Sequence, residues 1–254
     1  GSYPMFKSPR PLTSSGFLIF FSLLLLISEV SRAAEWSLLE NVNIGGIYTD
    51  NVNLVEDDSE FKESDLIGVV TPSILLRGVG RRATVDLAAS LIFNTSQDNS
   101  FLPRYRAFLG TELVKNNLFF DAAATADQGR IDPFRPAGSP VVNQTGNFTT
   151  IYRYTLRPYF ISRLNGLANL RISYRYSDYL FTDDDVDPRT TQWLSASLFS
   201  PGTSKLSGGV NVSSRKTEYE NDTQNDSTRS YIDAVLRYQH NRKWRFAGSI
   251  GKES

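Results

Sequence analysis

Apolar and polar side chains alternate at every second position in a series of stretches along most of the chain. In the clearest stretch, residues 167–178, Leu170 and Ile172 alternate with Arg171 and Ser173. A period of two is typical of a β-strand with one apolar and one polar face. The alternation predicts ten complete strands and the start of an eleventh, at residues 37–49, 64–76, 82–94, 104–114, 118–128, 148–160, 167–178, 190–199, 206–214, 230–238 and 244–250.

Two kinds of connection alternate between these strands. The short ones contain Asn-Gly, Pro-Gly or Asn-Asn pairs that suit tight hairpins, at residues 78–80, 115–117, 164–166, 200–203 and 240–243. The long ones are polar and often acidic, at residues 50–63, 95–103, 129–147, 179–189 and 215–228. Strands of about ten residues with this alternation predict an all-β, antiparallel up-and-down transmembrane β-barrel. Its N-terminus would begin in the periplasm, and its acidic loops would face outwards.

Two soluble folds share the alternation of apolar and polar residues. A β-sandwich also has one polar face, but its strands usually run about five or six residues. A β-helix would repeat at a fixed period, and the sequence shows none. The barrel is therefore favoured, and a soluble β protein stays open as the alternative.

The predicted number of strands does not close a barrel. Single-chain bacterial barrels have an even number of strands, whereas this chain predicts ten and a partial eleventh. We therefore expect closure to be incomplete. Truncation at the C-terminal side is the preferred explanation, over a barrel built from several chains.

The N-terminal segment has the features of a secretory signal peptide in their usual order. Lys7 and Arg10 precede an apolar run at residues 16–30, and the small residues Ser31 and Ala33 follow it. The run is short for a membrane-spanning helix, so cleavage after Ala33 is favoured over an uncleaved anchor. The predicted organisation is a cloning scar or upstream read-through at residues 1–4, a signal peptide at 5–33 and a partial outer-membrane barrel at 34–254.

Composition removes several classes of function. The 27 basic and 27 acidic residues balance, so no bulk charge favours nucleic acid. The chain has no Cys and a single histidine, His240, which excludes disulfides and a zinc site built on His or Cys. His240 falls in a predicted short turn, remote from the outer rim where a barrel enzyme would act on lipid. We expect no cofactor, no catalytic residue and no enzymatic activity.

Acidic residues cluster in two of the long loops. Asp57 and Asp58 lie in the first of these loops, and Asp183, Asp184 and Asp185 lie in the fourth. Their oxygens could hold Ca²⁺ or Mg²⁺, and such ions would bridge the loops to the phosphates of lipopolysaccharide. Simple solvation, with like charges holding the loops apart, is the favoured interpretation.

The strand pattern places charged residues on the face opposite the apolar one. If the tyrosines within residues 152–154 and 174–176 face lipid, the arginines beside them line the lumen. The candidate lumen-lining residues are Arg153, Arg157, Arg171, Arg175, Arg237, Asp86, Glu112, Asp121 and Asp233. The arginines either form a basic wall that favours anionic solutes such as acidic polysaccharide, or pair with the carboxylates in a network that rigidifies a narrow barrel. We favour the network.

Aromatic residues near the predicted strand ends suit the two membrane interfaces. The candidates for these aromatic girdles are Trp36, Tyr48, Tyr105, Tyr179, Trp193, Tyr231 and Trp244. Trp193 has an alternative position in the lumen, because Leu194, Ala196 and Leu198 form the apolar side of its strand.

Three segments resemble one protein family. They are the predicted opening strand and loop at residues 36–54, which ends in Thr-Asp-Asn-Val-Asn-Leu, the segment 70–74, and the hairpin at residues 112–122. These segments resemble the outer-membrane β-barrels associated with the PEP-CTERM system, which are porin-like proteins of exopolysaccharide gene clusters in Gram-negative bacteria. The resemblance implies a barrel and names no catalytic residue. Members of the family are usually longer, which agrees with truncation.

The pattern and the resemblance together predict a non-enzymatic, porin-like outer-membrane β-barrel that serves exopolysaccharide export or cell-surface assembly. The implied partners are outer-membrane lipid and lipopolysaccharide, the barrel-assembly machinery and polysaccharide-export components, and not nucleic acid. A purely structural barrel and a soluble secreted β-sheet protein that binds glycans remain the alternatives.

Overall fold

The computed structural model describes residues 35–56, 59–95, 101–132, 134, 139, 141–142, 147–183, 186–200, 205–221, 224–239 and 245–254. The predicted signal peptide at residues 5–33 and the four residues before it lie outside these ranges. The strands are β1 Glu35–Thr49, β2 Asp65–Val79, β3 Ala83–Asn94, β4 Phe101–Val114, β5 Leu118–Arg130, β6 Phe148–Leu164, β7 Ala168–Phe181, β8 Arg189–Phe199, β9 Leu206–Tyr219, β10 Ser227–Gln239 and β11 Arg245–Glu253. Within the described ranges, no helix has the length and apolar character needed to cross a membrane.

All eleven strands form one antiparallel sheet, in which each strand pairs with its neighbours in the sequence. This is the all-β, up-and-down arrangement that the alternation predicts, and every predicted strand is present. A β-sandwich requires a second sheet packed on the first. The strands of the described ranges all belong to a single sheet, so they do not form a sandwich.

Closure of the sheet is incomplete, as the strand count predicts. Among the described residues β1 pairs with β2 alone, and β11 pairs with β10 alone. Because the strands alternate in direction, β1 and β11 both run from the short-turn end of the sheet to the long-loop end. Direct pairing of these two edges would therefore be parallel.

Most strands extend further into the predicted long loops than the alternation indicates. β9 continues to Tyr219 and β10 begins at Ser227, although residues 215–228 were expected to form a loop. Lys216 lies opposite Thr228 on a face that is apolar deeper in the sheet. The apolar pattern thus ends before the backbone hydrogen bonds do, because pairing between strands does not require apolar side chains.

The short turns have the backbone geometry that their sequences predict. Asn165 and Gly166 both adopt positive φ, at 46° and 76°, between β6 and β7. Two successive positive φ values match the twist of a two-strand hairpin, and Asn and Gly tolerate them best. Asn116 has φ 61° in the turn between β4 and β5. The turns predicted at residues 200–203 and 240–243 lie mostly or wholly outside the described residues.

Two prolines lie in central strands at interruptions of the backbone ladder. Pro72 of β2 pairs with Val42 of β1, while the ladder between β2 and β3 is interrupted beside it. Pro158 of β6 pairs with Phe120 of β5, and the ladder between β6 and β7 is interrupted in the same way. Proline has no N–H to donate, so each proline lies where one of the two neighbouring strands does not accept a backbone hydrogen bond from that position.

The register assigns every strand side chain to one of two faces, because residues directly opposite each other in an antiparallel pair point to the same side. The apolar face includes Leu156, Ile172, Val212 and Leu236. Leu236 is 58% exposed and Val212 is 47% exposed, so these large side chains are left open to the surroundings. The opposite side, here called the polar face, carries most of the charged strand residues.

Candidate functional site

All nine charged residues predicted to line a lumen lie on the polar face. Asp121 is opposite Arg157, and the register carries the same face across the neighbouring strands to the other members of the set. The nine are Asp86, Glu112, Asp121, Arg153, Arg157, Arg171, Arg175, Asp233 and Arg237. The period-two pattern therefore predicted their common face correctly.

The polar face is concave. A cavity of about 300 Å³ on this face is lined by residues from Phe108 of β4 to Arg215 of β9. Side chains of six successive strands, β4 to β9, thus line one cavity, although the outer two of these strands would lie about 24 Å apart in a flat sheet. The sheet is therefore curled with its polar face inwards and its apolar face outwards.

Asp121 and Arg157 form the most buried ion pair of the described residues. Nε of Arg157 donates a hydrogen bond of 3.1 Å to Oδ2 of Asp121, and Nη2 of the same guanidinium donates to that oxygen as well. The side chain of Asp121 is 12% exposed. Gly110 leaves room beside the carboxylate: a Cβ built there would lie 3.1 Å from the ring of Phe108 and 3.5 Å from Oδ1 of Asp121.

The other predicted carboxylates have different partners. Asp86 pairs with Arg77 at 3.4 Å. Asp233 accepts a hydrogen bond of 3.0 Å from Nδ2 of Asn211. Glu112 accepts a hydrogen bond from the backbone N–H of Asn116 and so closes a turn.

Among the described residues, Arg157 is thus the one predicted lumen arginine with a carboxylate within 4.0 Å. Two further Arg–carboxylate pairs on this face, Asp86 with Arg77 and Asp127 with Arg104, involve arginines outside the predicted set. In the described part of the chain, the network that we favoured from the sequence is thus present as three separate pairs. The sequence placed both signs of charge on one face, but it did not show which strands bring opposite charges together.

Several arginines of the polar face lie over aromatic rings instead. The guanidinium of Arg175 is 5.0 Å from the ring centroid of Trp193. Arg189 lies 5.0 Å from the ring of Tyr179. A cation over an aromatic face is attracted by the electrons of the ring. The rings therefore hold these side chains in place and leave their positive charge intact.

Tyr159 supports two arginines at once. Arg157 and Arg171 lie 5.4 Å and 4.9 Å from its ring centroid. The same ring stacks on Phe119, with the ring centroids 5.0 Å apart and the two planes 9° apart. Sequence reasoning missed the part played by Tyr159, although its odd position in β6, shared with Arg153 and Arg157, places it on the polar face.

Hydroxyl side chains lie between the arginines on the same face. Thr155 and Ser177 are 3.1 Å apart through their hydroxyl oxygens, and Ser173 and Ser195 are 2.7 Å apart. Each hydroxyl can both donate and accept a hydrogen bond. The polar face thus combines fixed positive charge with adaptable polar groups.

The aromatic residues of the apolar face form a belt near the long-loop end. The hydroxyl groups of Tyr105 and Tyr154 are 3.4 Å apart, and the rings of Tyr105 and Tyr152 are 6.5 Å apart. Tyr174 donates a hydrogen bond of 3.1 Å to Gln192. Aromatic rings with a polar tip suit a membrane interface.

Three residues predicted for the interfacial girdles lie elsewhere. Tyr179, Trp193 and Tyr231 are on the polar face. For Trp193 this is the alternative position that its apolar neighbours indicated. Nearness to a strand end was the wrong signal, because parity along the strand determines the face. Trp244 lies outside the described residues.

The segment Thr-Asp-Asn-Val-Asn-Leu after β1 has a compact local structure. Nδ2 of Asn51 donates a hydrogen bond of 2.6 Å to the carbonyl of Val55, and the N–H of Val55 donates one of 3.0 Å to Oδ1 of Asn51. Asn53 donates a hydrogen bond of 3.1 Å to the carbonyl of Phe61. These bonds tie the loop across its width, which accounts for the two asparagines in structural terms.

The predicted ion-binding loops remain a prediction. Asp57, Asp58, Asp184 and Asp185 lie outside the described residues, as does His240. The backbone N–H of Asp183 donates a hydrogen bond of 3.2 Å to the hydroxyl of Thr149. Within the described ranges, no three His, Cys, Asp or Glu side chains are grouped closely enough to hold a metal ion.

Similarity to known proteins is found at the level of structure. No protein-family model matches the chain, and no curated protein matches it. One similar solved structure is OmpT, an outer membrane protein of Vibrio cholerae folded in vitro and in its trimer form. It is 8% identical with a TM-score of 0.44, over 88% of this chain and 89% of that chain. The loop L8 deletion mutant of OmpT is similar at 7% identity and a TM-score of 0.43, over 88% of this chain and 94% of that chain.

Proposed function

We propose that the chain is a non-enzymatic, porin-like β-barrel of the bacterial outer membrane that admits anionic solutes along its polar face. The observation that carries this proposal is the contrast between the two faces of the sheet. The outward face is apolar and exposed, and the concave face carries arginines and hydroxyl groups. This is the reverse of a soluble barrel, which keeps its apolar side chains inside.

The exposed apolar face supports a location in lipid. Soluble monomers rarely expose a contiguous apolar patch of more than a few hundred square ångströms. Here Leu38, Leu194, Val212 and Ile250 are among the many large side chains more than a third exposed on one face. Hydrocarbon removes the cost of this exposure, and the hydrogen-bond ladders on both sides of β2 to β10 satisfy the backbone of these strands inside a bilayer.

The charge on the polar face supports passage of anions. An arginine on the lipid side of a barrel costs about 2–4 kcal/mol near the middle of the bilayer, so arginines gather on the water-filled side. Rings of positive side chains favour anions in pores. Arg153, Arg175 and Arg215 line one cavity and have no carboxylate within 4.0 Å in the described part of the chain.

An association with exopolysaccharide export or cell-surface assembly is the finer part of this proposal. It rests on the resemblance of residues 36–54, 70–74 and 112–122 to barrels of exopolysaccharide gene clusters, and on the basic polar face, which suits an acidic polymer. The partners would be outer-membrane lipid and lipopolysaccharide, the barrel-assembly machinery and polysaccharide-export components.

Fractionation and electrophoresis test the location. We expect the mature protein in the outer-membrane fraction, with a band that migrates differently before and after boiling, because a closed barrel resists detergent until heated. The boiled sample is the control. Mature protein that stays in the soluble periplasmic or culture fraction without detergent would contradict a barrel and favour the soluble glycan-binding alternative.

Planar bilayers test the pore. We expect the full-length, refolded protein to give conductance steps, with a reversal potential in a salt gradient that shows preference for anions over cations. Conductance that stays at baseline would contradict a pore and favour the alternative of a purely structural barrel. Conductance with a preference for cations would contradict the part assigned to the arginines.

A further inference from the structure

Arginine and hydroxyl side chains form three successive rows across the polar face. In the first arginine row, Arg175 of β7 is opposite Trp193 of β8, which is opposite Arg215 of β9. The hydroxyl row, one pair further along, consists of Thr155, Ser177, Thr191 and Thr217 on β6 to β9. The second arginine row, one pair beyond that, consists of Arg153, Tyr179, Arg189 and Tyr219.

One cavity joins these rows. The cavity of about 300 Å³ on the polar face is lined by Arg153 from the second arginine row, by Thr155, Ser177 and Thr191 from the hydroxyl row, and by Arg175 and Arg215 from the first. Arg157 and Asp121 complete one wall. Among the described lining residues, Arg153, Arg157, Arg175 and Arg215 thus bring four positive charges to one cavity, against the single carboxylate of Asp121. Like charges gathered in one cavity repel one another, and a bound anion relieves that repulsion.

The way in which the arginines are held suits binding of an anion. A carboxylate partner would fix a guanidinium and also neutralise it, as Asp121 does for Arg157. Trp193 fixes Arg175 from one side at 5.0 Å and leaves its charge and its N–H donors available. The guanidinium is therefore positioned before a ligand arrives, and less conformational entropy is lost on binding.

We propose that this cavity, the arginine pocket, binds a carboxylate-bearing sugar unit of an acidic glycan. A guanidinium matches a carboxylate through two parallel N–H···O bonds. The row of Thr and Ser hydroxyls, which both donate and accept, matches the ring hydroxyls of a sugar. The pocket is at the lower end of the range for small-molecule sites, so it takes a single sugar unit of a longer chain. This inference rests on the proposed passage of anionic solutes along the polar face.

Calorimetry of the full-length, refolded protein in zwitterionic detergent tests the arginine pocket. We expect trigalacturonate to bind saturably, with an affinity that falls as salt rises, and the neutral trisaccharide maltotriose to show no binding. Inorganic sulfate should bind more weakly than trigalacturonate. Equal binding of sulfate would overturn the sugar assignment, and equal binding of maltotriose, or no binding of trigalacturonate, would overturn the site.

Variants locate the binding. Arg175→Gln should weaken trigalacturonate at least roughly 10-fold, the value of a charge-assisted hydrogen bond. Arg153→Gln, which changes a lining residue on the neighbouring strand β6, should also weaken binding and keeps the test open if the Arg175 variant does not fold. Arg77→Gln is the matched control, because Arg77 is on the same face, outside the pocket and paired with Asp86. Equal affinities in the Arg175 and Arg77 variants would overturn the proposal.

Trp193 is assigned as a positioning residue, and its variants test that separately. Trp193→Leu keeps every charge but removes the ring under Arg175, so trigalacturonate should bind more weakly. Trp193→Phe keeps a ring and should restore most of the affinity. If trigalacturonate binds but conductance stays at baseline, the proposed pore is wrong and the arginine pocket stands. If the protein conducts but does not bind trigalacturonate, the arginine pocket is wrong and the proposed pore stands.

Discussion

At the scale of the residue, the partner of each arginine on the polar face determines what that arginine contributes. Arg157 lies against Asp121, so its charge is compensated and the pair stabilises the sheet. Arg175 lies against Trp193, so its charge remains for a ligand. The sequence predicted that Asp121, Arg157 and Arg175 share a face. The sequence could not show which arginine is paired with a carboxylate, because pairing depends on the register between strands. Asp121 and Arg157, for example, are 36 residues apart in the sequence.

Asp121→Asn should lower the free energy of unfolding by about 2 kcal/mol, because it leaves a partly buried guanidinium without its counter-charge. Asp86→Asn is the matched control, since Asp86 forms the same kind of pair with Arg77 on the same face. The side chains of Arg77 and Asp86 are 64% and 49% exposed, against 32% and 12% for Arg157 and Asp121.

The control should cost less than about 1 kcal/mol, the usual value of an exposed pair. Urea unfolding of the refolded protein in lipid vesicles, followed by circular dichroism, measures both variants. Equal losses in the two variants would mean that burial does not strengthen the Asp121–Arg157 pair.

At the scale of the element, alternation predicts where a strand lies better than where it ends. All eleven strands were predicted, because each needs one apolar face along most of its length. The long-loop ends of β9 and β10 were missed, since Lys216 and Thr228 are polar on the otherwise apolar face. Pro158 shows a second limit. Its place in β6 depends on an interruption of the ladder with β7, which is a property of two strands together.

Val212→Arg tests which face of β9 meets lipid. Val212 is on the apolar face and 47% exposed, so an arginine there should cost about 2–4 kcal/mol in a bilayer. Asn211→Arg is the matched control on the neighbouring residue, because Asn211 is on the polar face beside Asp233, which can accept from the new guanidinium.

We expect Val212→Arg to lower the urea midpoint in lipid vesicles and to reduce the fraction that shows heat-modifiable migration. Asn211→Arg should leave both measurements close to those of the original chain. A larger loss in the control would mean that the polar face, and not the apolar one, meets lipid.

At the scale of the whole molecule, the two faces and the two ends of the sheet are set by independent features of the sequence. Period-two alternation sets the faces, and it predicted the common side of the nine charged residues. The lengths of the connections set the ends, with Asn165 and Gly166 at the short-turn end and the segment after β1 at the long-loop end. Together the two features also predicted a barrel with its polar face inwards. They could not predict which side chains meet in one cavity, because that depends on the register of six strands, from β4 to β9.

The orientation of the sheet across the membrane gives a further prediction, for which the absence of native Cys provides a clean background. Long loops face the exterior and short turns face the periplasm in bacterial barrels. Glu60 is exposed in the loop between β1 and β2, and Lys115 is exposed in the turn between β4 and β5. Glu60→Cys should react in intact cells with a maleimide too bulky to cross the outer membrane. Lys115→Cys should react only after that membrane is permeabilised.

The two sites are matched, because each replaces an exposed charged residue outside a strand and each tests one end of the same sheet. Reaction of Lys115→Cys alone in intact cells would reverse the assigned orientation. Equal reaction of both variants in intact cells would contradict a sheet that spans the membrane, because a spanning sheet keeps its two ends in different compartments. Labelling of the boiled, detergent-solubilised protein should be equal for both variants, which separates chemical reactivity from access.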